Sequence, residues 1–181
     1  WLHWGPGVEA WAGFAAGIPI NHLWFVLYIG VYSLVMVGVM AIPGAVRAGE
    51  FAVRWILSGW RLLILPMIYL TVVRQQLFAT LGLSNHLTTD WYNHAMSLAV
   101  FAFGFFAALQ ERVWRDFERF RWIFTGVAAV ALPALIALQA SPDGMVWNGW
   151  AQNAAYAIDQ WATMGAILGF GSRHLRAADQ Q

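Results

Sequence analysis

The chain has 181 residues, of which 60% are hydrophobic and only 10% are charged, and its mean hydropathy is +0.57. Soluble domains carry about 25% charged residues, so this composition excludes an ordinary soluble domain and predicts a surface that lies mostly in lipid. All ten basic residues are arginines, and they nearly balance nine acids, which leaves no positive field to attract nucleic acid. The sequence has no cysteine, which excludes disulfides, thiolate catalysis and cysteine-bound zinc.

Five apolar segments are long enough to cross a membrane, because a hydrocarbon layer about 30 Å thick needs about 20 helical residues. None shows the alternating pattern of a membrane β-strand. The predicted fold class is therefore all-α, an integral membrane bundle of five transmembrane helices. We expect an outer-face segment at 1–19, the bundle at 20–171 and a cytoplasmic tail at 172–181. In chain order the segments are 20–42, 55–73, 91–109, 122–138 and 152–170, the last ended by a C-cap at Gly171.

The arginines alternate between the two sides of this predicted bundle. Most of them follow the first segment, follow the third segment or lie in the tail, and cytoplasmic loops are enriched in arginine. The C-terminus is therefore expected in the cytoplasm, with the charged run at 110–121 as an interfacial turn. An odd number of spans that starts outside also predicts that the chain, which begins at Trp1, is part of a longer protein.

Two ionisable residues inside the predicted spans are candidates for function, because a charge in hydrocarbon is costly. Asp159 is the only acid well inside a span; it either takes part in a site within the bundle or pairs with an Arg or Tyr of another helix. Arg61 lies about two turns inside the second segment. Its long side chain either reaches back to the interface or binds an anionic donor from the cytosol.

His22 and Trp24 open the first segment on the outer side. His22 is either a proton carrier or a hydrogen-bonded interfacial histidine. The outer tryptophans form either the aromatic belt common at membrane interfaces or a surface on which a sugar stacks. They are Trp1, Trp4, Trp11, Trp24, Trp91, Trp147 and Trp150.

His86, Asp90 and His94 follow one another at spacings of four, which on one continuous helix would align three metal ligands. The run Thr88-Thr89-Asp90 instead predicts loop and N-cap chemistry, with His86 before the helix that His94 joins. We therefore expect no metal site.

The run from His22 to Leu34, with His-Leu-Trp-Phe at its start, resembles a helix of the acyltransferase family 3 membrane proteins, including transferases that succinylate periplasmic glucans. The Arg-rich inner connection, the short outer connection Ser141-Pro142-Asp143-Gly144 and the closing run 156–161 are similar in layout to the C-terminal half of that family. The resemblance covers nearly the whole chain in layout and is specific around residues 22–34.

This resemblance implies a bacterial inner-membrane enzyme that transfers an acyl group from a thioester of the acyl-CoA type to a sugar hydroxyl of a glycan at the outer face. It implies no bound cofactor. The family's catalytic His and its Arg-x-x-Arg element belong to the N-terminal half, which this chain lacks, so its catalytic residues are unknown and the fragment is expected to be inactive alone. Arg112-Val113-Trp114-Arg115 has the bare spacing, but it follows a later segment and does not inherit that role.

In this interpretation His22, Trp24, Arg61 and Asp159 contribute to substrate binding, and the partners are membrane lipid, the glycan acceptor, the acyl donor and the missing N-terminal half. The alternative is a non-enzymatic polytopic membrane protein, either a transporter subunit or a glycan-binding scaffold. Solute flux without an acyl donor would favour the first, and sugar binding through the outer tryptophans would favour the second.

Overall fold

The computed structural model describes residues 24–78, 80, 90–108, 110–140 and 148–178. All regular structure in these ranges is helical, which confirms the all-α prediction for this part of the chain. A π-helical turn, Arg74–Phe78, continues the third helix. The helices are α1 Trp24–Ala41, α2 Ala45–Ile56, α3 Arg61–Val73, α4 Trp91–Ala107, α5 Glu111–Gln139 and α6 Asn148–Ala178.

The first helix ends in a sharp corner. Pro43 has no N–H group to continue the helical ladder, and Gly44 has a φ of 81°, which glycine adopts at little cost. The axes of α1 and α2 therefore differ by 113°. Helix α2 buries none of its residues, so it lies along the side of the bundle.

The predicted span from Trp55 to Val73 does not form one helix. Helix α2 ends at Ile56, the chain turns, and α3 begins at Arg61. At the turn, Gly59 has a φ of 57° and its N–H donates to Asp116 Oδ2 at 2.9 Å. Arg61 consequently lies at the first position of α3 and not two turns inside a span.

The long hairpin of α5 and α6 forms the centre of the bundle. The run 110–121 was predicted as a turn, but α5 starts at Glu111 because Val113, Phe117 and Phe120 supply one buried face. Helix α6 continues through Gly171 to Ala178, so the predicted C-cap at Gly171 is also wrong.

Two glycines of α6 allow the hairpin to close. A Cβ atom at Gly165 would lie 2.5 Å from the Phe124 ring, and one at Gly169 would lie 2.5 Å from the Phe117 carbonyl oxygen. Gly30, Gly38 and Gly104 have nothing within 4 Å of an added Cβ. The last three glycines therefore do not mediate contacts in the described part of the chain.

Helix α3 is held against the hairpin by a buried hydrogen bond, in which the Trp161 indole donates to the Leu62 carbonyl at 2.9 Å. Helix α1 packs one face on α4 through Tyr28, Tyr32 and Met36, which are spaced by four residues and buried.

Hydrogen bonds between helices lie at both ends of the bundle. At one end Gln110 donates to the Glu50 carbonyl and Asp116 accepts from Gly59. At the other end Arg74 donates to Asn153. We call these the cleft end and the Arg74 end.

One described helix, α5, is long and apolar enough to cross a membrane. The bent pair of α1 and α2 would supply a second crossing if the two helices form one broken span.

Candidate functional site

Three arginines meet at the cleft end of the bundle. Arg54 comes from α2, Arg61 from the start of α3 and Arg112 from the first turn of α5. They line one cleft of about 150 Å³, which we call the arginine cleft. The other lining residues are Phe51, Trp55 and Ser58.

Arg61 is fixed in place by its own turn. Its Nη2 donates to Ser58 Oγ at 3.0 Å, and its guanidinium lies 4.5 Å from the centre of the Trp55 ring. Stacking on an indole face stabilises a cation while leaving the remaining N–H groups available. Ser58 is buried, so the turn between α2 and α3 holds Arg61 at the wall of the cleft.

All three charged residues that line the arginine cleft are arginines. No carboxylate belongs to its lining, and neither Arg54 nor Arg112 makes a hydrogen bond or ion pair with another residue in the described ranges. Three positively charged side chains beside one small space favour the approach of an anion. Planar guanidinium groups match phosphate and carboxylate oxygens, so an anion with several oxygens is the ligand this cleft fits.

A second and larger cavity of about 530 Å³ lies between α2, α3, α4 and α6. We call it the apolar cavity. Its volume is within the range of about 300 to 1,000 Å³ that is usual for small-molecule sites. Its lining includes Val53, Pro66, Leu70, Ala99, Phe103 and Met164.

The few polar groups of the apolar cavity are mostly used already. The Tyr69 hydroxyl donates to the Ala95 carbonyl at 2.7 Å, and the Trp161 indole donates to Leu62. Gln160 is the remaining amide in the lining. An apolar group therefore fits this space better than a polar one.

Trp55 belongs to the lining of both spaces. The arginine cleft and the apolar cavity are thus neighbours that share one aromatic wall. The two neighbouring spaces differ in chemistry, because the lining of one carries three arginines and the lining of the other is mostly apolar.

Comparisons with protein-family models, with curated proteins and with solved structures find no match to this chain. The family resemblance rests on the sequence of residues 22–34.

The predicted site residues do not form one group. Arg61 lies in the arginine cleft. Asp159 lies on α6, is half-buried and belongs to the lining of neither space, although its neighbour Gln160 lines the apolar cavity. No Arg or Tyr in the described ranges pairs with Asp159. His22 lies outside the described residues; Trp24 begins α1, but its side chain is also outside them.

A different polar network occupies the opposite end of the bundle. Arg74 donates from Nε to Asn153 Oδ1 at 3.1 Å and from Nη1 to the Tyr92 hydroxyl at 3.0 Å. Its guanidinium also lies 3.7 Å from the centre of the Tyr156 ring. Asn153 in turn donates to Gln75 at 2.7 Å. This network joins α3, α4 and α6 and satisfies its own members.

His94 packs with Tyr28 and Tyr32 beside this network, and we call these three residues the histidine cluster. The Tyr32 hydroxyl and His94 Nδ1 are 3.0 Å apart, and the Tyr28 ring stacks on the His94 ring at 4.8 Å. Asp90 is buried and caps α4, as predicted, by accepting a hydrogen bond from the Asn93 N–H at 3.2 Å. Across the described residues, no three His, Asp or Glu side chains come together as a metal site would require. His86 lies outside those residues.

The sequence analysis found Arg61 but missed its neighbours. Arg54 and Arg112 served only as markers of the cytoplasmic side. Both carry a positive charge and both were predicted on the cytoplasmic side of the membrane. These two facts were a usable signal for a shared site, because arginines that flank consecutive inner connections come together when the helices pack. The apolar cavity gave no such signal, since its residues resemble those of any helix in a membrane bundle.

Of the outer tryptophans, Trp91 and Trp150 lie in the described part and are exposed. Exposure fits both a membrane belt and a sugar surface, so the two interpretations stay open.

Proposed function

We propose that this chain is the C-terminal half of a bacterial inner-membrane O-acyltransferase, and that the arginine cleft binds the anionic part of its thioester donor. The acceptor is a sugar hydroxyl of a glycan at the outer face. The single observation that carries the proposal is the convergence of Arg54, Arg61 and Arg112, without a carboxylate in the lining, at the end of the bundle expected in the cytosol.

The outer surface of the bundle supports a location in the membrane. Large apolar side chains are exposed on most helices; Leu34 on α1, Val130 on α5 and Ile167 on α6 are each more than 60% exposed. Extended apolar surface of this kind is typical of contact with lipid or with another protein.

The five-span arrangement belongs to the proposal. Helix α5 has the length and hydropathy of a complete crossing. Helix α3 has 13 residues and is continued by the π-helical turn of 5 residues. At about 1.5 Å per residue this continuous element extends roughly 27 Å, close to the thickness of the hydrocarbon layer. In this arrangement α1, α4 and α6 complete the five crossings.

The proposed reaction forms one ester bond. A base takes the proton of the sugar hydroxyl, the oxygen attacks the thioester carbonyl, the C–S bond breaks, and the proton is returned to the released thiol. The base and the oxyanion donors are assigned to the N-terminal half. This chain would hold the donor by its anionic groups, with Arg61 toward the donor, His22 and Trp24 at the outer entrance, and Asp159 within the bundle.

The test is acyl transfer by the product of the natural reading frame, expressed with any coding sequence that precedes Trp1. Membranes receive a radiolabelled acyl thioester and a soluble glucan, and ester-linked label on the glucan is measured. We expect Arg112→Gln to raise the donor KM about tenfold with little change in kcat, because a charged contact to the donor is lost. Arg115→Gln, an exposed arginine one turn away on the same helix, is the matched control.

Absence of labelled glycan, or an unchanged donor KM in Arg112→Gln, would overturn the proposal. Solute flux in liposomes without a donor would then support the transporter alternative, and sugar binding would support the scaffold.

A further inference from the structure

We infer that the outward face of α6 around Asp159 is a docking surface for a transmembrane helix that carries an arginine or lysine at the depth of this carboxylate. That helix belongs to the part of the protein that precedes Trp1, so the inference rests on the proposed function, in which this chain is a C-terminal half. It states where the two halves meet and which charge the partner helix supplies.

Three residues of α6 define this surface. Asp159, Thr163 and Ile167 follow one another at spacings of four, so their side chains share one face of the helix. Thr163 is exposed, Ile167 is 66% exposed and Asp159 is half-buried. We call these three residues the Asp159 face. It combines a carboxylate, a hydroxyl and an apolar side chain along about two turns of helix.

The opposite side of α6 makes the contacts with the bundle. Ala157, Trp161 and Ala162 are buried there. Gly165 and Gly169 lie on the same side and close against α5. Helices α3 and α5 thus pack on one side of α6, and the described residues leave the Asp159 face accessible.

Lipid alone is a poor neighbour for this face. Asp159 lies about 10 Å inside the predicted span 152–170, and a carboxylate at such a depth is costly without a partner. The outward surface of α5 differs, because its exposed residues Val130, Leu132 and Ile136 are all apolar. We therefore expect lipid beside α5 and protein beside the Asp159 face.

The described part of this chain does not supply the opposite charge. All ten basic residues of the sequence are arginines in helical segments, and no described arginine side chain pairs with Asp159. Arg74 packs on the Tyr156 ring, one turn before Asp159, but it donates to Asn153 and Tyr92 instead. A partner helix with its own cation would complete the pair.

A second copy of the chain does not meet this requirement. Two copies inserted in the same orientation would bring one Asp159 beside the other in a symmetric contact, and like charges repel. The arginines of α6, Arg173 and Arg176, begin about 21 Å further along the helix, too far to compensate. Charge complementarity therefore selects a different helix.

The experiment is a photo-cross-link within membranes that contain the product of the natural reading frame, expressed with any coding sequence that precedes Trp1. The photoreactive residue p-benzoylphenylalanine replaces Thr163 in one variant and Val130 of α5 in the matched control. We expect the probe at position 163 to cross-link to a peptide encoded before Trp1, one with an arginine or lysine inside an apolar segment. The probe at position 130 should give lipid adducts.

A charge exchange tests the ion pair itself. Asp159→Lys should lower the yield of the cross-link from position 163 about tenfold, because two cations then face each other. Replacing the cation of the cross-linked helix with aspartate in the same protein should restore the yield. Gln160→Lys, which adds the same charge one position away on α6, is the control, and the same aspartate should not increase its yield.

Cross-links from position 163 to lipid alone, to a second copy or to a different protein would overturn the inference, and so would a charge exchange that restores nothing. Labelled glucan made by the same membranes would in that case leave the proposed function intact. A cross-link to a helix encoded before Trp1, in membranes that make no labelled glucan, would support the docking surface and overturn the proposed acyl transfer.

Discussion

The two ends of the bundle use arginine in opposite ways. Arg74 contacts hydrogen-bond acceptors and aromatic rings from the protein itself, so its charge stabilises the contact between α3, α4 and α6. Arg54 and Arg112 have no such partners in the described ranges, and they share a cleft with a third cation. The first arrangement belongs to a structural network, whereas the second leaves positively charged side chains available to an anion. Removing an arginine should therefore have different effects at the two ends.

The largest effect on stability is expected at Arg74. Arg74→Met removes two hydrogen bonds and leaves Asn153 and Tyr92 without that donor, which should lower the free energy of unfolding by about 3 kcal/mol. Unfolding by denaturant in detergent micelles measures this. Arg74→Lys keeps the positive charge but lacks the planar guanidinium group. Its free energy of unfolding should lie between those of the wild type and Arg74→Met. Arg112→Met is the comparison at the cleft end; if it were equally destabilising, the contrast between the two ends would be lost.

A smaller effect is expected where α5 rests on α6. Gly169→Val puts side-chain atoms against the Phe117 carbonyl and Arg121, and overpacking of this kind costs about 2 kcal/mol. Since α5 carries Arg112, donor binding should weaken as well. Gly171→Ala, where an added Cβ has open space, should keep or slightly raise the thermal unfolding temperature. Equal stability of the two variants would show that the hairpin contact is looser than described.

The turn that positions Arg61 can be tested at Asp116. Asp116→Ala removes the acceptor of the Gly59 N–H and should cost about 1.5 kcal/mol, together with weaker donor binding. Asp116→Asn retains an acceptor oxygen and should recover most of both losses. If alanine changed stability but not donor affinity, the turn would not control the geometry of the arginine cleft.

The smallest effect is expected in the histidine cluster. Tyr32→Phe removes the hydroxyl that meets His94 and should destabilise the chain by about 1 kcal/mol, with no change in donor binding. Tyr69→Phe is the matched comparison, because Tyr69 lines the apolar cavity and its hydroxyl donates to the Ala95 carbonyl. A loss of donor affinity in Tyr32→Phe would contradict the separation of the two ends.

Much of the fold could be predicted from apolar runs alone. The helical class and the N-cap at Asp90 followed from hydropathy and from local hydrogen-bond chemistry, both of which depend on neighbouring residues. The start of α3 at Arg61 could not be predicted this way, because the chain breaks where Gly59 adopts a left-handed conformation that Asp116, distant in sequence, stabilises. The early start of α5 was hidden by its charges, which cover one face while Val113 and Phe117 supply the other.

For the site, too, single residues could be predicted from the sequence, whereas their arrangement could not. Arg61 was identifiable because a charge inside a predicted span is unusual, and the sequence left open either an anionic ligand for it or a side chain that reaches back to the interface. Its assembly with Arg54 and Arg112 depends on how three helices pack, which no local pattern encodes. Asp159 was chosen by the same criterion as Arg61, yet the fold places it outside both spaces. The rarity of charged residues inside predicted spans thus singles out candidate residues, but it does not indicate which residues lie beside them in the fold.

The corner at Gly44 has a consequence for how the membrane itself could act on this protein. Helix α2 turns away from α1 by 113°, buries none of its residues and presents Phe51 and Trp55 beside Arg47 and Arg54. In the proposed membrane arrangement, a helix of this composition would lie among lipid headgroups, at a depth set by the thickness and surface charge of the leaflet. Arg54 and Trp55 line the arginine cleft, so the depth of α2 in the headgroup layer would set the width of this cleft. Bilayers of different acyl thickness or anionic content should then tune donor affinity without any change in the sequence.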